Sequence, residues 1–219
     1  MSILLLHGFT GHRDDLLPLE IALEQAGHTC HRPNLPGHGT VPADMQGIRA
    51  VDWIASARSF DADVIIGLSM GALIGVILAA ERPKAKLILL SPAFILQPFG
   101  RMGVWAAKQG LLKYFPTFKK YAGSDIEDPI ARAASKAYPV VPSHSLPEFD
   151  ALRMRAIKAL PEVSCPIYTF FGAHDHTVDI KASSLFVNRP VILPRSAHIL
   201  PVDYDHKELI KQCLQILEK

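Results

Sequence analysis

The sequence predicts an α/β fold: a three-layer α/β/α arrangement around a mostly parallel sheet of about six strands, with a helical insertion. Three observations carry this reading. Short β-rich runs recur with helix-length segments between them, several of the runs end in Gly or Pro, and one intervening segment is apolar on every face. A parallel sheet covered by helices on both sides requires alternation of this kind.

The elements follow in chain order. Ile3 to Leu6 is an apolar run far too short for a signal h-region or a membrane span, and reads as a strand. A helix over Asp15 to Ala26 leads to a strand at His28 to Arg32, whose polar, Pro-terminated character suits a sheet edge. Asp44 to Phe60 reads as a helix and Asp63 to Gly67 as the next strand. The helix Met70 to Ala80, with Gly-Ala-Leu-Ile-Gly-Val-Ile-Leu-Ala-Ala from Gly71 onward, has no polar face to offer water and is predicted to lie buried at the centre. Lys86 to Leu90 is a further strand. From Pro92 to Pro161 the alternation stops and the patterning is helical, so residues 92–161 read as an insertion into a core made of 1–91 and 162–219. The alternation resumes with the strand Pro166 to Phe171, a helix Lys181 to Phe186, the strand Pro190 to Leu193 and a C-terminal helix Tyr204 to Leu217.

Composition narrows the function classes. With 219 residues the chain has room for one domain with a sizeable core or a core with one inserted subdomain. Apolar residues at 49% and charged residues at 20% exclude a disordered or fibrous chain. A net charge of +2 argues against a polyanion-binding surface, so no nucleic-acid partner is expected. Cys30, Cys165 and Cys213 are widely spaced and form no C-x-x-C pair, which points to neither a disulfide framework nor a zinc site and fits a reducing compartment. With no export signal or stable membrane anchor in view, the expected location is the cytoplasm, as a monomer or homodimer.

The insertion differs in character from the core. It holds ten Lys or Arg against five Asp or Glu, and nine of the 17 aromatic residues, among them Phe94, Phe99, Trp105, Tyr114, Phe115 and Phe118. A basic, aromatic, helical segment above an α/β core is a candidate lid over a pocket. The same aromatics are equally expected simply to pack the insertion onto the core.

The sharpest chemical signal is Gly67-Leu68-Ser69-Met70-Gly71, placed after a strand and before the buried helix. A strand-to-helix elbow forces its serine into a positive-φ turn, and the flanking positions must lack a Cβ to avoid collision. The turn lifts the Ser69 hydroxyl above the sheet and aims the positive helix end at whatever the oxygen attacks. A serine hydroxyl is a weak nucleophile and needs a base, itself held by a carboxylate. Among ten histidines His198 is favoured, because it follows the last strand in the loop Arg195-Ser196-Ala197-His198. Asp175, in Gly172-Ala173-His174-Asp175, follows the preceding strand at the same edge, with Asp179 as the competing acid. An oxyanion needs two donors. The Met70 N–H is one, and the Phe9 N–H in His7-Gly8-Phe9-Thr10-Gly11 is the candidate for the other, with His7 read as a structural histidine that holds this loop.

His7-Gly8-Phe9-Thr10-Gly11, Leu35-Pro36-Gly37-His38-Gly39, Gly67-Leu68-Ser69-Met70-Gly71, Gly172-x-x-Asp175-x-x-Val178 and Ser196-x-His198 together resemble the α/β-hydrolase fold, most of all its bacterial carboxylesterases and monoacylglycerol lipases. The resemblance spans nearly the whole chain outside the insertion. It implies Ser69 as nucleophile, His198 as base, Asp175 as acid, Phe9 and Met70 as oxyanion donors, and residues 92–161 as the family's cap. Two departures stand out: the two strands that usually precede the His-Gly strand are missing from this sequence, and Ala72 stands where many relatives have glycine.

The expectation is a serine hydrolase that cleaves carboxylic esters carrying an apolar acyl or aromatic group through an acyl-enzyme on Ser69, with no cofactor and no metal. Thioester cleavage, C–C bond hydrolysis and acyl transfer would use the same three residues. A non-catalytic receptor for a small apolar ligand is the alternative of another class. His174-Asp175-His176 clusters metal-ligand side chains, but the spacing is wrong for H-E-x-x-H and no matching histidine pair is evident.

Overall fold

The structure is a computed structural model that describes residues 1–82, 86–120 and 125–218. In chain order its elements are β1 (Ser2–Leu6), α1 (Leu17–Gln25), β2 (Thr29–His31), α2 (Ala50–Arg58), β3 (Val64–Leu68), α3 (Met70–Glu81), β4 (Lys86–Leu90), α4 (Pro98–Lys108), β5 (Thr117–Lys119), α5 (Pro129–Ala134), β6 (Val140–Pro142), α6 (Leu146–Ala159), β7 (Ile167–Gly172), β8 (Val191–Leu193) and α7 (His206–Leu217). Six strands make one sheet in the order β2-β1-β3-β4-β7-β8, with every neighbouring pair parallel. All six strands therefore end at one rim, and the loops after Leu6, Leu68, Gly172 and Leu193 leave from it together.

Side chains alternate across this sheet with period two. Ile3 and Leu5 of β1 face an apolar cluster with Leu19 and Leu23 of α1 and Leu209 and Cys213 of α7. Leu4 and Leu6 face the opposite cluster, which holds Trp53 of α2, Leu73 to Ala79 of α3 and Leu152 and Ala156 of α6. The helix α3 is buried from Met70 to Ala79 because the sheet covers one side and α2 and α6 the other. As expected, β2 is an edge, paired only with β1.

Some elements differ from the sequence reading. The helix expected over Asp44 to Phe60 is a 3-10 turn, Pro42–Met45, followed by α2, with Gly47 at φ 79° breaking the path between them. The segment Lys181 to Phe186 is a 3-10 turn, Ile180–Leu185, capped by the Asp179 carboxylate. Asp15 to Ala26 likewise begins as a 3-10 turn, Arg13–Leu16, before α1 starts at a proline-bearing first turn.

Within residues 92–161, expected to be helical throughout, β5 and β6 form an antiparallel pair. Pro116 and Pro139 stand just before these strands, and Val140 and Val141 are β-branched, so local chemistry favours extended chain at both. The last helix of the segment, α6, lies in the sheet-side cluster with α2 and α3. The aromatics divide as well. Phe94 and Phe149 are buried, and Phe94 meets Phe186 edge-on at 5.7 Å. Phe99, Trp105, Tyr114 and Phe115 are turned to solvent, with Phe99 80% exposed. Residues 121–124 lie outside the described residues. Among the described residues no helix is long and apolar enough to cross a membrane.

Candidate active site

Ser69 sits between β3 and α3 at φ 54° and ψ −109°, the positive-φ turn that its flanking glycines predict. Both glycines are required by contact. A Cβ at Gly67 would collide with the Gly71 carbonyl, and one at Gly71 would collide with the Leu6 carbonyl oxygen at the end of β1. The turn is pinned to the neighbouring strand, because the Ser69 N–H donates to the Leu90 carbonyl at 2.8 Å.

The loop after β1 abuts this elbow. Gly8 lies so close that a Cβ there would stand 3.2 Å from Ser69 Cβ and 3.7 Å from Oγ. Two histidines hold the loop. His7 Nε2 accepts the Leu35 N–H at 3.0 Å, so Nδ1 carries the proton and donates to the Gly8 carbonyl at 2.9 Å. His38 repeats the pattern, with Nε2 accepting from Thr10 N at 3.1 Å and Nδ1 donating to Pro36 O at 3.0 Å. Burial drives both imidazoles toward neutrality, His7 down to about 3 and His38 to about 4. The Phe9 N–H and the Met70 N–H, the predicted donor pair, make no hydrogen bond to another described residue. Met70 opens α3, where the first N–H groups have no partner within the helix.

His198 and Asp175 are brought together. His198 Nδ1 donates to Asp175 Oδ2 at 2.7 Å, and both side chains are almost wholly buried. Oδ1 of the same carboxylate accepts the N–H groups of Thr177 and Val178, each at 2.8 Å, which fixes its plane. The loops themselves touch, since a Cβ at Gly172 would collide with the Ala197 carbonyl oxygen. Burial alone would push the His198 imidazole down, yet the Asp175 carboxylate against it, with Asp125 adding to the effect, holds it above the ordinary histidine value. Ser69 and His198, 5% and 4% exposed, stand at the same rim, and no hydrogen bond joins them among the described residues.

The competing acid, Asp179, accepts the Lys181 N–H at 2.9 Å as the cap of a 3-10 turn. His174 and His176 are exposed while Asp175 between them is buried, and no group of three ligand-type side chains is disposed around a metal position among the described residues.

Three carboxylates that position this loop escape a reading of the sequence. Asp205 accepts the Arg195 N–H at 2.7 Å and the Ser196 hydroxyl at 3.0 Å. Asp203, fully buried, accepts the Ala197 N–H at 2.7 Å together with the N–H groups of Glu127 and Asp128 at 3.0 and 2.9 Å. Their place five and seven residues after His198 is a local signal. Asp125 reaches the same loop from the segment between β4 and β7, and its distance along the chain hides it.

Comparison with known proteins shows the family. Residues 3–212 match the model of the alpha/beta hydrolase family. The chain is similar to a thermostable monoacylglycerol lipase of Bacillus sp. (strain H-257), 29% identical over all of this chain and 91% of that protein. It is also similar to a carboxylesterase of Bacillus subtilis (strain 168), 22% identical over all of this chain and 92% of that one. A solved structure of a metagenome-derived lipolytic enzyme superposes with a TM-score of 0.88 at 25% identity, covering 99% of this chain and 93% of the other. The parallel sheet, the strained serine turn and a family match over nearly its whole length make this chain a member of the alpha/beta hydrolase family.

Proposed function

We propose that the protein hydrolyses carboxylic esters, with Ser69 as nucleophile, His198 as general base and acid, Asp175 as the carboxylate that orients it, and the N–H groups of Phe9 and Met70 as the oxyanion donors. The observation that carries this reading is the buried His198–Asp175 hydrogen bond of 2.7 Å at the rim onto which the positive-φ Ser69 turn opens. Monoacylglycerol lipase and carboxylesterase relatives support an ester as the substrate.

With Nδ1 committed to Asp175, the His198 imidazole presents Nε2 as its free base. Ser69 Oγ attacks the ester carbonyl carbon as its proton passes to Nε2. The negative charge moves to the carbonyl oxygen, where the two N–H groups and the positive end of α3 receive it. The imidazolium then protonates the leaving alcohol and the C–O bond breaks, which leaves an acyl group on Ser69. Water repeats the sequence and releases the acid. Asp175 holds the imidazole in one tautomer throughout. Residues 92–161 serve as the cap over this site.

A fluorophosphonate probe tests the assignment. It is expected to label the native chain on Ser69 and to spare Ser69→Ala, and equal labelling of both removes the reading. Rates over p-nitrophenyl esters of increasing chain length, run beside a thioester, then define the acyl group and separate ester from thioester cleavage.

A further inference from the structure

Asp125 reaches the rim from the insertion and touches both loops that carry the His198–Asp175 pair. Its carbonyl oxygen accepts the backbone N–H groups of His198 at 3.0 Å and Ile199 at 2.8 Å. Its carboxylate accepts the Thr177 hydroxyl at 3.2 Å and pairs with Lys120 at 3.1 Å. Thr177 in turn gives its N–H to Asp175 at 2.8 Å. The contacts close a ring: His198 to Asp175 by side chain, Asp175 to Thr177, Thr177 to Asp125, and Asp125 back to the His198 backbone.

This ring has a consequence for geometry. The acid loop is the stretch after β7 and the base loop the stretch after β8, so an imidazole and a carboxylate on two separate loops stay aligned only if the loops cannot slide. The acid loop is already clamped from one side, where Gln97 N donates to Thr177 O at 3.0 Å and Asp179 N donates to Ile95 O at 2.8 Å. Asp125 supplies the second clamp and bonds both loops directly. The charged groups acting on the imidazole are Asp175 from the acid loop and Asp125 and Lys120 from the insertion.

We propose that Asp125 is a positioning residue for His198: its main chain seats the base loop, and its carboxylate, paired with Lys120, ties that seat to Thr177 in the acid loop. This rests on the assignment of His198 as the base of an ester hydrolase. Asp125 is bonded to neither the Ser69 hydroxyl nor the His198 ring among the described residues and acts through the groups it holds.

The test compares wild type, Asp125→Asn, Asp125→Glu and Lys120→Met by two readouts. One is the titration of the His198 imidazole followed by NMR, with the signal assigned through His198→Gln. The other is kcat and KM for a p-nitrophenyl ester across pH. Removal of the anion in Asp125→Asn is expected to move the His198 titration and the acid limb of kcat to lower pH, whereas removal of the cation in Lys120→Met moves both to higher pH. In Asp125→Asn the plateau kcat falls about threefold to tenfold with KM held within about twofold, and Asp125→Glu recovers part of the loss. Opposed shifts in the two variants are a signature that loss of stability alone does not produce. Titrations and kcat that match wild type in both variants, or a lowered melting temperature as the only change, overturn the proposal. A wild-type chain that turns over no ester while the His198 titration still moves in opposite directions would remove the functional reading and leave the positioning role standing.

Discussion

At the scale of single residues, the strongest dependence falls on three side chains. Ser69→Ala is expected to lower kcat for a p-nitrophenyl ester by about 10⁴-fold or more, because the remaining donors and binding contacts give only residual catalysis. Asp175→Asn keeps the size of the side chain but can donate to Nδ1, which puts the imidazole in the wrong tautomer, and a loss of about 10³- to 10⁴-fold is expected. Asp179→Asn, at a turn cap, should stay within a few-fold of wild type, and steady-state kinetics on the three variants separates these outcomes. Ser69, Asp175 and His198 could be proposed from the sequence because each proposed role has its own local signature: a glycine-flanked serine between strand and helix, and an acid and a histidine that each follow a late strand. Asp125 has no such signature. It lies 50 residues before Asp175 in the sequence and reaches that loop only through the fold, by its bond to Thr177.

At the scale of elements, close approach between backbones matters more than propensity. Gly71→Ala drives a Cβ into the Leu6 carbonyl of β1 and should abolish folding or lower the melting temperature sharply, although alanine is the better helix former. Gly103, inside α4 with nothing within 4 Å of an added Cβ, gives the contrast: Gly103→Ala should raise stability by roughly 0.5 to 1 kcal/mol in a thermal melt. The six strands of the parallel sheet were legible from sequence within a residue or two, since a buried parallel sheet demands apolar runs of about strand length. Helix breaks such as the one at Gly47 were harder, because one glycine inside an otherwise periodic segment is tolerated in many helices and here takes a left-handed conformation set by its neighbours. The β5–β6 pair escaped for a similar reason. Each strand is three residues long and is stabilised by the other rather than by its own pattern.

At the scale of the whole molecule, buried titratable groups set the response to acid. His7 and His38 have folded values of about 3 and about 4 against 6.5 in the unfolded chain, so the unfolded state binds more protons as pH falls, and stability present above about 6.5 is lost on the way down. Asp15 acts the other way, because burial raises it from 3.8 to about 6 and its folded form takes up a proton first, gaining stability as pH falls through 6. Two histidines outweigh one carboxyl, and urea midpoints are expected to fall between pH 6.5 and 4. His38→Gln, which can still accept the Thr10 N–H, should flatten that slope, and an unchanged slope would refute the assignment. The way Asp203 holds the base loop carries one more consequence. Its carboxylate grips main-chain N–H groups of Glu127, Asp128 and Ala197 and reads none of their side chains. This grip by itself therefore asks nothing of the side chains at those three positions except that none be proline, which has no hydrogen to give; burial fixes Ala197 and the capping of α5 fixes Asp128 on separate grounds.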